Sequence, residues 1–133
     1  MLDVAHNPHG IDFLCRELKL RDWHSQVDCV VLGMLEDKEH ATVAAQLHEF
    51  FACPIVLVDT FGERAFSAEQ LADAITAEKT DLPLEIASSR SDAIARAESA
   101  TAVGNVILAL GSFSVVEHFS LTGDKEVTKS QEQ

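Results

Sequence analysis

Short apolar runs alternate with longer segments of helical periodicity along nearly the whole chain, and this alternation constrains the fold more than any other feature. The apolar runs cover residues 2–5, 27–32, 54–59, 82–87 and 105–110, and the helical segments cover residues 9–20, 37–51, 67–79, 89–100 and 112–121. Apolar runs without polar alternation are typical of parallel strands covered on both faces. The pattern predicts an α/β fold: a three-layer, Rossmann-like domain with a mostly parallel sheet of five to six strands and helices on both faces.

Individual residues mark the starts and the buried faces of the predicted helices. Ser67 and Gln70 have the spacing of a capping box, in which each side chain accepts a hydrogen bond from the backbone of the other residue. Gly33 ends the second apolar run, because glycine lets the backbone turn sharply. In the first helix, the apolar side chains recur at the spacing of a single buried face: Ile11, Leu14, Cys15 and Leu18.

The charge balance excludes two classes of partner. The chain carries 10 Lys and Arg residues against 22 Asp and Glu residues, a formal net charge of −12. Nucleic acid and anionic membrane surfaces both attract basic segments, so neither is an expected partner. No apolar run reaches the roughly 18–20 residues that span a bilayer, and no secretory signal is expected. We therefore predict a cytoplasmic protein.

Three cysteines, Cys15, Cys29 and Cys53, lie far apart within apolar or amphipathic segments. Metal-binding cysteines commonly occur as close pairs such as C-x-x-C, and the sequence contains no such pair. An odd number of widely spaced cysteines is typical of buried, reduced thiols in a cytoplasmic protein. The sequence therefore predicts three free thiols and no metal site.

Residues 3–9, which read DVAHNPH, combine several groups that bind ligands at the end of the first apolar run. Ligands of α/β sheets bind outside the carboxyl ends of the strands. There, Asp3 can accept hydrogen bonds from both hydroxyls of a ribose, and His6 can donate to a carboxylate or phosphate oxygen. The helix start behind Asn7 adds free backbone amides that favour an anion. The alternative interpretation is that Asp3 and Asn7 cap the turn of the chain.

Two further strand ends carry candidate residues. Lys38 is predicted to lie in the first turn of a helix. The helix dipole does not favour a cation there, so a ligand or an acidic partner would explain the lysine. The alternative is a solvated helix start capped by Asp37. After the last strand, Ser112 either binds an anionic group or caps the following helix. Arg64 either meets a carboxylate or lies at the surface. The other histidines are expected to be surface or half-buried residues without partners: His24, His40, His48 and His118.

Three of these segments resemble motifs of the folylpolyglutamate synthase / dihydrofolate synthase family, a branch of the Mur ligase superfamily. DVAHNPH at residues 3–9 resembles the family motif D-[GV]-A-H-N-P-H, and GMLEDKE at residues 33–39 resembles G-M-L-x-D-K-[DE]. GSF at residues 111–113 resembles the closing motif G-S-[FL]. The resemblance is to the C-terminal domain of the family and covers nearly all of residues 1–123, which leaves a polar tail at residues 124–133.

The resemblance implies an ATP-dependent ligase. ATP phosphorylates a carboxylate of dihydropteroate or of a folate, and L-glutamate then attacks the acyl phosphate. The resemblance also implies that Asp3 binds the ATP ribose, that His6 and Ser112 bind the incoming glutamate, and that Asn7 and Lys38 support the site. ATP and Mg²⁺ are expected in the full-length enzyme.

The central domain of the family, which carries the P-loop and the Mg²⁺ ligands, has no counterpart in this sequence. The resemblance therefore implies that the missing N-terminal and central domains of the same protein are the partners of this domain. We expect residues 1–133 alone to hold no ligand and to be inactive.

Three alternatives remain open. A cell-wall Mur ligase would add an amino acid to a UDP-sugar, but GMLEDKE and GSF favour the folate branch. A stand-alone receiver-like regulatory module would use Asp59 as its phosphoacceptor. That class needs an acidic pair after the first strand and a lysine after the last, whereas here Asp3 stands alone and Ser112 follows the last strand. The third alternative is an interaction domain whose site has decayed.

Overall fold

A computed structural model describes residues 2–3, 8–21, 24–36, 38–60, 62–103 and 105–111 of the chain. The strands in this part are β1 (Leu2–Asp3), β2 (Val27–Gly33), β3 (Ile55–Leu57), β4 (Leu84–Ile86) and β5 (Val106–Gly111). The helices are α1 (Pro8–Leu20), α2 (His40–Phe51), α3 (Ala68–Thr76) and α4 (Arg90–Ala100), with a short 3₁₀ turn at His24–Gln26. Strands and helices alternate along the chain, as the sequence predicts.

The strands form one sheet in the order β1-β5-β2-β3-β4, and every neighbouring pair is parallel. Helices α1, α2 and α3 pack on one face of the sheet, and α4 packs on the other. The chain steps in one direction from β1 to β4 and then returns to β5. Right-handed crossovers place the helix of the return step on the opposite face. The predicted α/β fold is confirmed. The described sheet has five strands, and the first of them, β1, is two residues long.

Each face of the sheet has its own apolar core, because successive side chains of a strand point to opposite faces. Along β2, Val30 and Leu32 pack in the core under α1, α2 and α3, whereas Cys29 and Val31 pack in the core under α4. The same alternation occurs along β5, and all four of these β2 side chains are fully buried. Two-sided burial explains why the strands read as continuous apolar runs.

The local signals for helices α1 and α3 are confirmed. Helix α1 buries one face, made of the residues that the spacing predicts: Ile11, Leu14, Cys15 and Leu18. At the start of α3, Ser67 Oγ accepts a hydrogen bond from the Gln70 N–H at 3.0 Å, and Gln70 Oε1 accepts one from the Ser67 N–H at 2.9 Å. This reciprocal pair satisfies backbone donors that the helix itself leaves without partners.

Helix α2 begins later than the sequence predicts. Its first residue is His40, and its N-cap is Glu39, which makes no side-chain hydrogen bond to the helix. The prediction that Lys38 lies in the first turn is therefore wrong. The carbonyl oxygen of Lys38 instead accepts a hydrogen bond from the His40 N–H at 3.0 Å, in a turn ahead of the helix. Asp37, the predicted cap, lies outside the described residues.

All three cysteines are free and buried, as predicted. Burial penalises the charged thiolate and raises the pKa of Cys15 to about 11 and the pKa values of Cys29 and Cys53 to about 12. Because the thiolate is the reactive form, these thiols are expected to be inert in the folded chain.

We expect the native chain to react slowly with a thiol reagent such as Ellman's reagent. In guanidinium chloride, all three thiols of the chain should react at once. A pKa of about 11 or above leaves at least about a hundredfold less thiolate than an ordinary cysteine has at neutral pH. The measurement is the rate at which the cysteine thiols react with the reagent, with and without denaturant. Rapid reaction of even one thiol in the native chain would contradict the described burial.

Candidate functional site

The carboxyl ends of the strands lie side by side at one edge of the sheet. The register pairs Asp3 of β1 with Leu110 of β5, Leu110 with Leu32 of β2, Leu32 with Leu57 of β3, and Leu57 with Ile86 of β4. One position further along, Gly33 pairs with Gly111. Strands β1, β5 and β2 therefore end side by side, at the edge where α/β sheets bind ligands.

The candidate ligand-binding residues follow these strand ends. Asp3 is the last residue of β1, and its backbone lies beside Leu110 of β5, which precedes Ser112 by two positions in the sequence. The side chain of Asp3 and all of His6, Asn7 and Ser112 lie outside the described part of the chain. The register thus brings together the strand ends that carry these residues, and their individual roles stay predictions.

Lys38 is half-buried and lines a surface pocket of about 300 Å³ between the start of α2 and α3. The polar side chains that line this pocket are Lys38, Glu39, His40, Thr42 and Glu78. The pocket therefore combines a cationic side chain with two carboxylates, rather than concentrating positive charge. The sequence offers two explanations for a cation at this position, an acidic partner and a ligand. Glu39 and Glu78 are available in this pocket as acidic partners, whereas the second explanation requires a ligand at the sheet edge.

His40 has partners, so the prediction of an unpartnered histidine is wrong. Its Nε2 lies 2.8 Å from the carbonyl oxygen of Leu35, and since a carbonyl only accepts, Nε2 carries the hydrogen. The ring stacks on Phe66, with ring centroids 4.7 Å apart and an interplanar angle of 13°. His48 is half-buried, as expected, and its Nδ1 is buried without a hydrogen-bond partner. The side chain of His24 and all of His118 lie outside the described residues.

The connection from β3 to α3 reaches across to the loop that follows β2. Arg64 is exposed and has a left-handed backbone (φ 65°), and its carbonyl oxygen accepts a hydrogen bond from the Glu36 N–H at 2.9 Å. Thr60 is buried, and its Oγ1 lies 3.2 Å from the carbonyl oxygen of Met34. The sequence analysis missed both contacts, because residues 26 or more apart leave no periodic signal in the sequence.

The receiver-like alternative conflicts with the sheet. In the strand order 2-1-3-4-5 of such domains, the fifth strand lies at an edge beside the fourth. Here β5 lies between β1 and β2. Asp59, the phosphoacceptor of that alternative, accepts a hydrogen bond from the Ala68 N–H at 2.7 Å, at the first residue of α3. Both observations disfavour a receiver-like function.

The described residues contain no helix that is long and apolar enough to cross a membrane. They also contain no group of three or more His, Cys, Asp or Glu side chains able to hold a metal ion. This observation concerns a site built entirely from protein ligands, whereas Mg²⁺ commonly binds through one or two carboxylates together with water and substrate phosphates.

Sequence comparisons match most of the chain. The model of the family described as "Mur ligase, glutamate ligase domain" matches residues 1–113. The dihydrofolate synthase/folylpolyglutamate synthase of Escherichia coli (strain K12) is 31% identical over 122 residues, which cover 89% of this chain and 26% of that protein.

Solved structures show the same similarity. Escherichia coli FolC in complex with DHPP and ADP matches with a TM-score of 0.72 and 27% identity, over 92% of this chain and 28% of that one. A bifunctional folylpolyglutamate synthase/dihydrofolate synthase with Mn, AMPPNP and L-glutamate bound matches with a TM-score of 0.71 and 29% identity, over 91% of this chain and 28% of that one. The chain thus spans between 26% and 28% of the length of these relatives.

Proposed function

The chain belongs to the Mur ligase, glutamate ligase domain family, and from this premise we propose that it works as the C-terminal domain of a larger ATP-dependent amide ligase. The ligase adds L-glutamate to dihydropteroate or to a folate. The observation that carries this proposal is the strand register, in which Asp3, Gly33 and Gly111, each from one of the three motifs, end adjacent strands at one edge. The similarity to folate enzymes favours this branch over a cell-wall ligase.

In the proposed reaction, a carboxylate oxygen of the substrate attacks the γ-phosphorus of ATP, and ADP leaves. The amino nitrogen of L-glutamate then attacks the carbonyl carbon of the acyl phosphate. The nitrogen loses a proton, and inorganic phosphate leaves with the electron pair of the broken C–O bond. Phosphorylation is needed because a carboxylate is a poor electrophile. Support comes from relatives whose structures contain DHPP and ADP, or Mn, AMPPNP and L-glutamate.

Within this proposal, each candidate residue has one task. Asp3 accepts hydrogen bonds from the ATP ribose hydroxyls, and His6 and Ser112 bind the incoming L-glutamate. Asn7 and Lys38 support the site. As the family resemblance implies, Mg²⁺ would be held by the central domain of the longer protein and would neutralise phosphate charge there.

The proposal also covers the extent, partner and location of the domain. Residues 1–123 form the domain, and residues 124–133 form a polar tail. Its partners are the N-terminal and central domains of the same protein, which would supply the P-loop and the metal site. The protein works in the cytoplasm, in keeping with three free thiols.

A chimera tests the proposal directly. Residues 1–133 would replace the C-terminal domain of the Escherichia coli dihydrofolate synthase/folylpolyglutamate synthase, and the chimera would be assayed for ATP-dependent addition of L-glutamate to dihydropteroate and to a folate. We expect activity with at least one of the two substrates. A folded chimera that is inactive with both would contradict the proposal and would favour an interaction domain without a working site.

The isolated chain and the truncated relative are the controls. The relative without its C-terminal domain should be inactive, because the nucleotide and glutamate sites are left open. Residues 1–133 alone should hydrolyse no ATP and should bind ATP only weakly in calorimetry. Micromolar ATP binding by the isolated chain would show that the site is complete without the partner domains.

A further inference from the structure

A buried threonine ties two loops together at the ligand-binding edge of the sheet. In the part of the chain that the structure describes, the buried polar residues are Thr60 and Thr101, at 4% and 7% exposure. Thr60 Oγ1 accepts a hydrogen bond from the Phe66 N–H at 2.8 Å, and the carbonyl oxygens of Met34 and Phe66 each lie 3.2 Å from it. Its single hydroxyl hydrogen is shared between those two acceptors, so the hydroxyl both donates and accepts within these two loops.

Three consecutive residues of the loop after β2 each bond to a different residue outside that loop. Met34 O is contacted by Thr60 Oγ1, Leu35 O accepts from His40 Nε2 at 2.8 Å, and the Glu36 N–H donates to Arg64 O at 2.9 Å. We call Thr60 and His40 the clamp residues, because their side chains hold the backbone of this loop.

The clamped loop adjoins the proposed glutamate site. It begins directly after Gly33, whose register partner Gly111 immediately precedes Ser112. It also leads to Lys38, whose carbonyl oxygen accepts a hydrogen bond from the His40 N–H at 3.0 Å. His40 therefore holds this loop at Leu35 through its ring and at Lys38 through its backbone.

We propose that Thr60 and His40 are positioning residues for L-glutamate: they fix residues 34–36 beside the end of β5, which Ser112 follows in the sequence. This inference rests on the proposed ligase function. Neither residue touches the reacting atoms; each acts through the loop. Because β2, which precedes the loop, lies next to β5 but two strands from β1, a loosened loop affects glutamate binding more than ATP binding.

Amide hydrogen exchange on residues 1–133 tests the clamp independently of any enzyme activity. Thr60→Val keeps the volume of the side chain and removes the hydroxyl, whereas Thr60→Ser retains the hydroxyl. We expect the Glu36 and Phe66 amides to exchange at least about tenfold faster in Thr60→Val, with the amides of α1 and α4 unchanged and with Thr60→Ser close to the original chain. Unchanged exchange at Glu36 in Thr60→Val would overturn the inference.

His40→Phe is the second variant, for the case in which Thr60→Val does not fold. It retains an aromatic ring to stack on Phe66 but removes the donor to Leu35 O. Faster exchange of the Glu36 amide is expected here as well. Unchanged exchange at Glu36 would show that the ring does not hold the loop.

Steady-state kinetics of the chimera test the role in glutamate binding. Thr60→Val should raise the KM for L-glutamate about three- to tenfold and the KM for ATP by less than about twofold, and Thr60→Ser should restore the original value. Thr101→Val is the matched control: Thr101 Oγ1 donates to Ala97 O at 2.8 Å at the end of α4, near the opposite edge of the sheet, so the KM for L-glutamate should not change.

The outcomes separate the two proposals. If Thr60→Val lowered the active fraction while both KM values stayed the same, Thr60 would be a structural residue and the positioning role would be refuted. If the chimera with the unmodified chain were inactive, the proposed ligase function would fail, whatever the exchange rate at Glu36.

Discussion

Replacing Leu32 with alanine is expected to lower the free energy of unfolding by about 2–5 kcal/mol, the range for truncating a fully buried leucine in a packed core. Leu32 is fully buried in β2, where its backbone pairs with both Leu110 and Leu57 and its side chain packs under the helices. The loss has two parts: the apolar surface that is no longer buried, and the cavity that the rigid sheet cannot fill. Chemical denaturation of residues 1–133 measures the change.

Leu20→Ala is the matched control for Leu32→Ala, because it removes the same atoms from a side chain that is 82% exposed. We expect its effect on the free energy of unfolding to stay within about 0.5 kcal/mol. A loss below about 1 kcal/mol for Leu32→Ala would mean that the core around β2 is loosely packed, contrary to the described burial.

The second large effect is expected at the proposed substrate site. In an active chimera, Asp3→Ala should raise the KM for ATP about tenfold to a hundredfold, because hydrogen bonds to a charged carboxylate are worth about 1.5–3 kcal/mol. His6→Ala should instead raise the KM for L-glutamate. Steady-state kinetics with each substrate varied in turn distinguish the two assignments.

Asp12→Ala is the control for the two site variants. Asp12 is an exposed carboxylate on α1 that pairs with Arg16, so its loss removes the same charge without touching the sheet edge. Neither KM should change in this variant. If Asp3→Ala and His6→Ala left both KM values unchanged, the residue assignments would be wrong even though the family membership stands.

Local features were predictable because their signals span a few residues. The buried face of α1 follows from apolar residues three and four positions apart, and the capping box of α3 follows from Ser67 and Gln70. The burial of the three cysteines follows from their apolar surroundings. In each case, the physical cause and its sequence signal lie within one element.

Contacts between distant segments account for the errors. Lys38 follows acidic residues that suit a helix start, but the backbone of Met34 and Glu36 is bonded to the β3–α3 connection, and the helix begins only at His40. The stacking of His40 on Phe66 joins the first residue of α2 to the connection between β3 and α3. Such contacts form only when the strands pair, so no window of the sequence contains them.

The sequence by itself determined the order of the strands and helices and the covering of the sheet on both faces, because two-sided burial requires apolar residues at successive strand positions. Only the tertiary structure decided that β5 lies between β1 and β2, which sets Gly111 beside Gly33 and one strand from Asp3. Strand neighbours depend on how all the helices pack against the sheet at once, and that free energy belongs to the whole fold rather than to any segment.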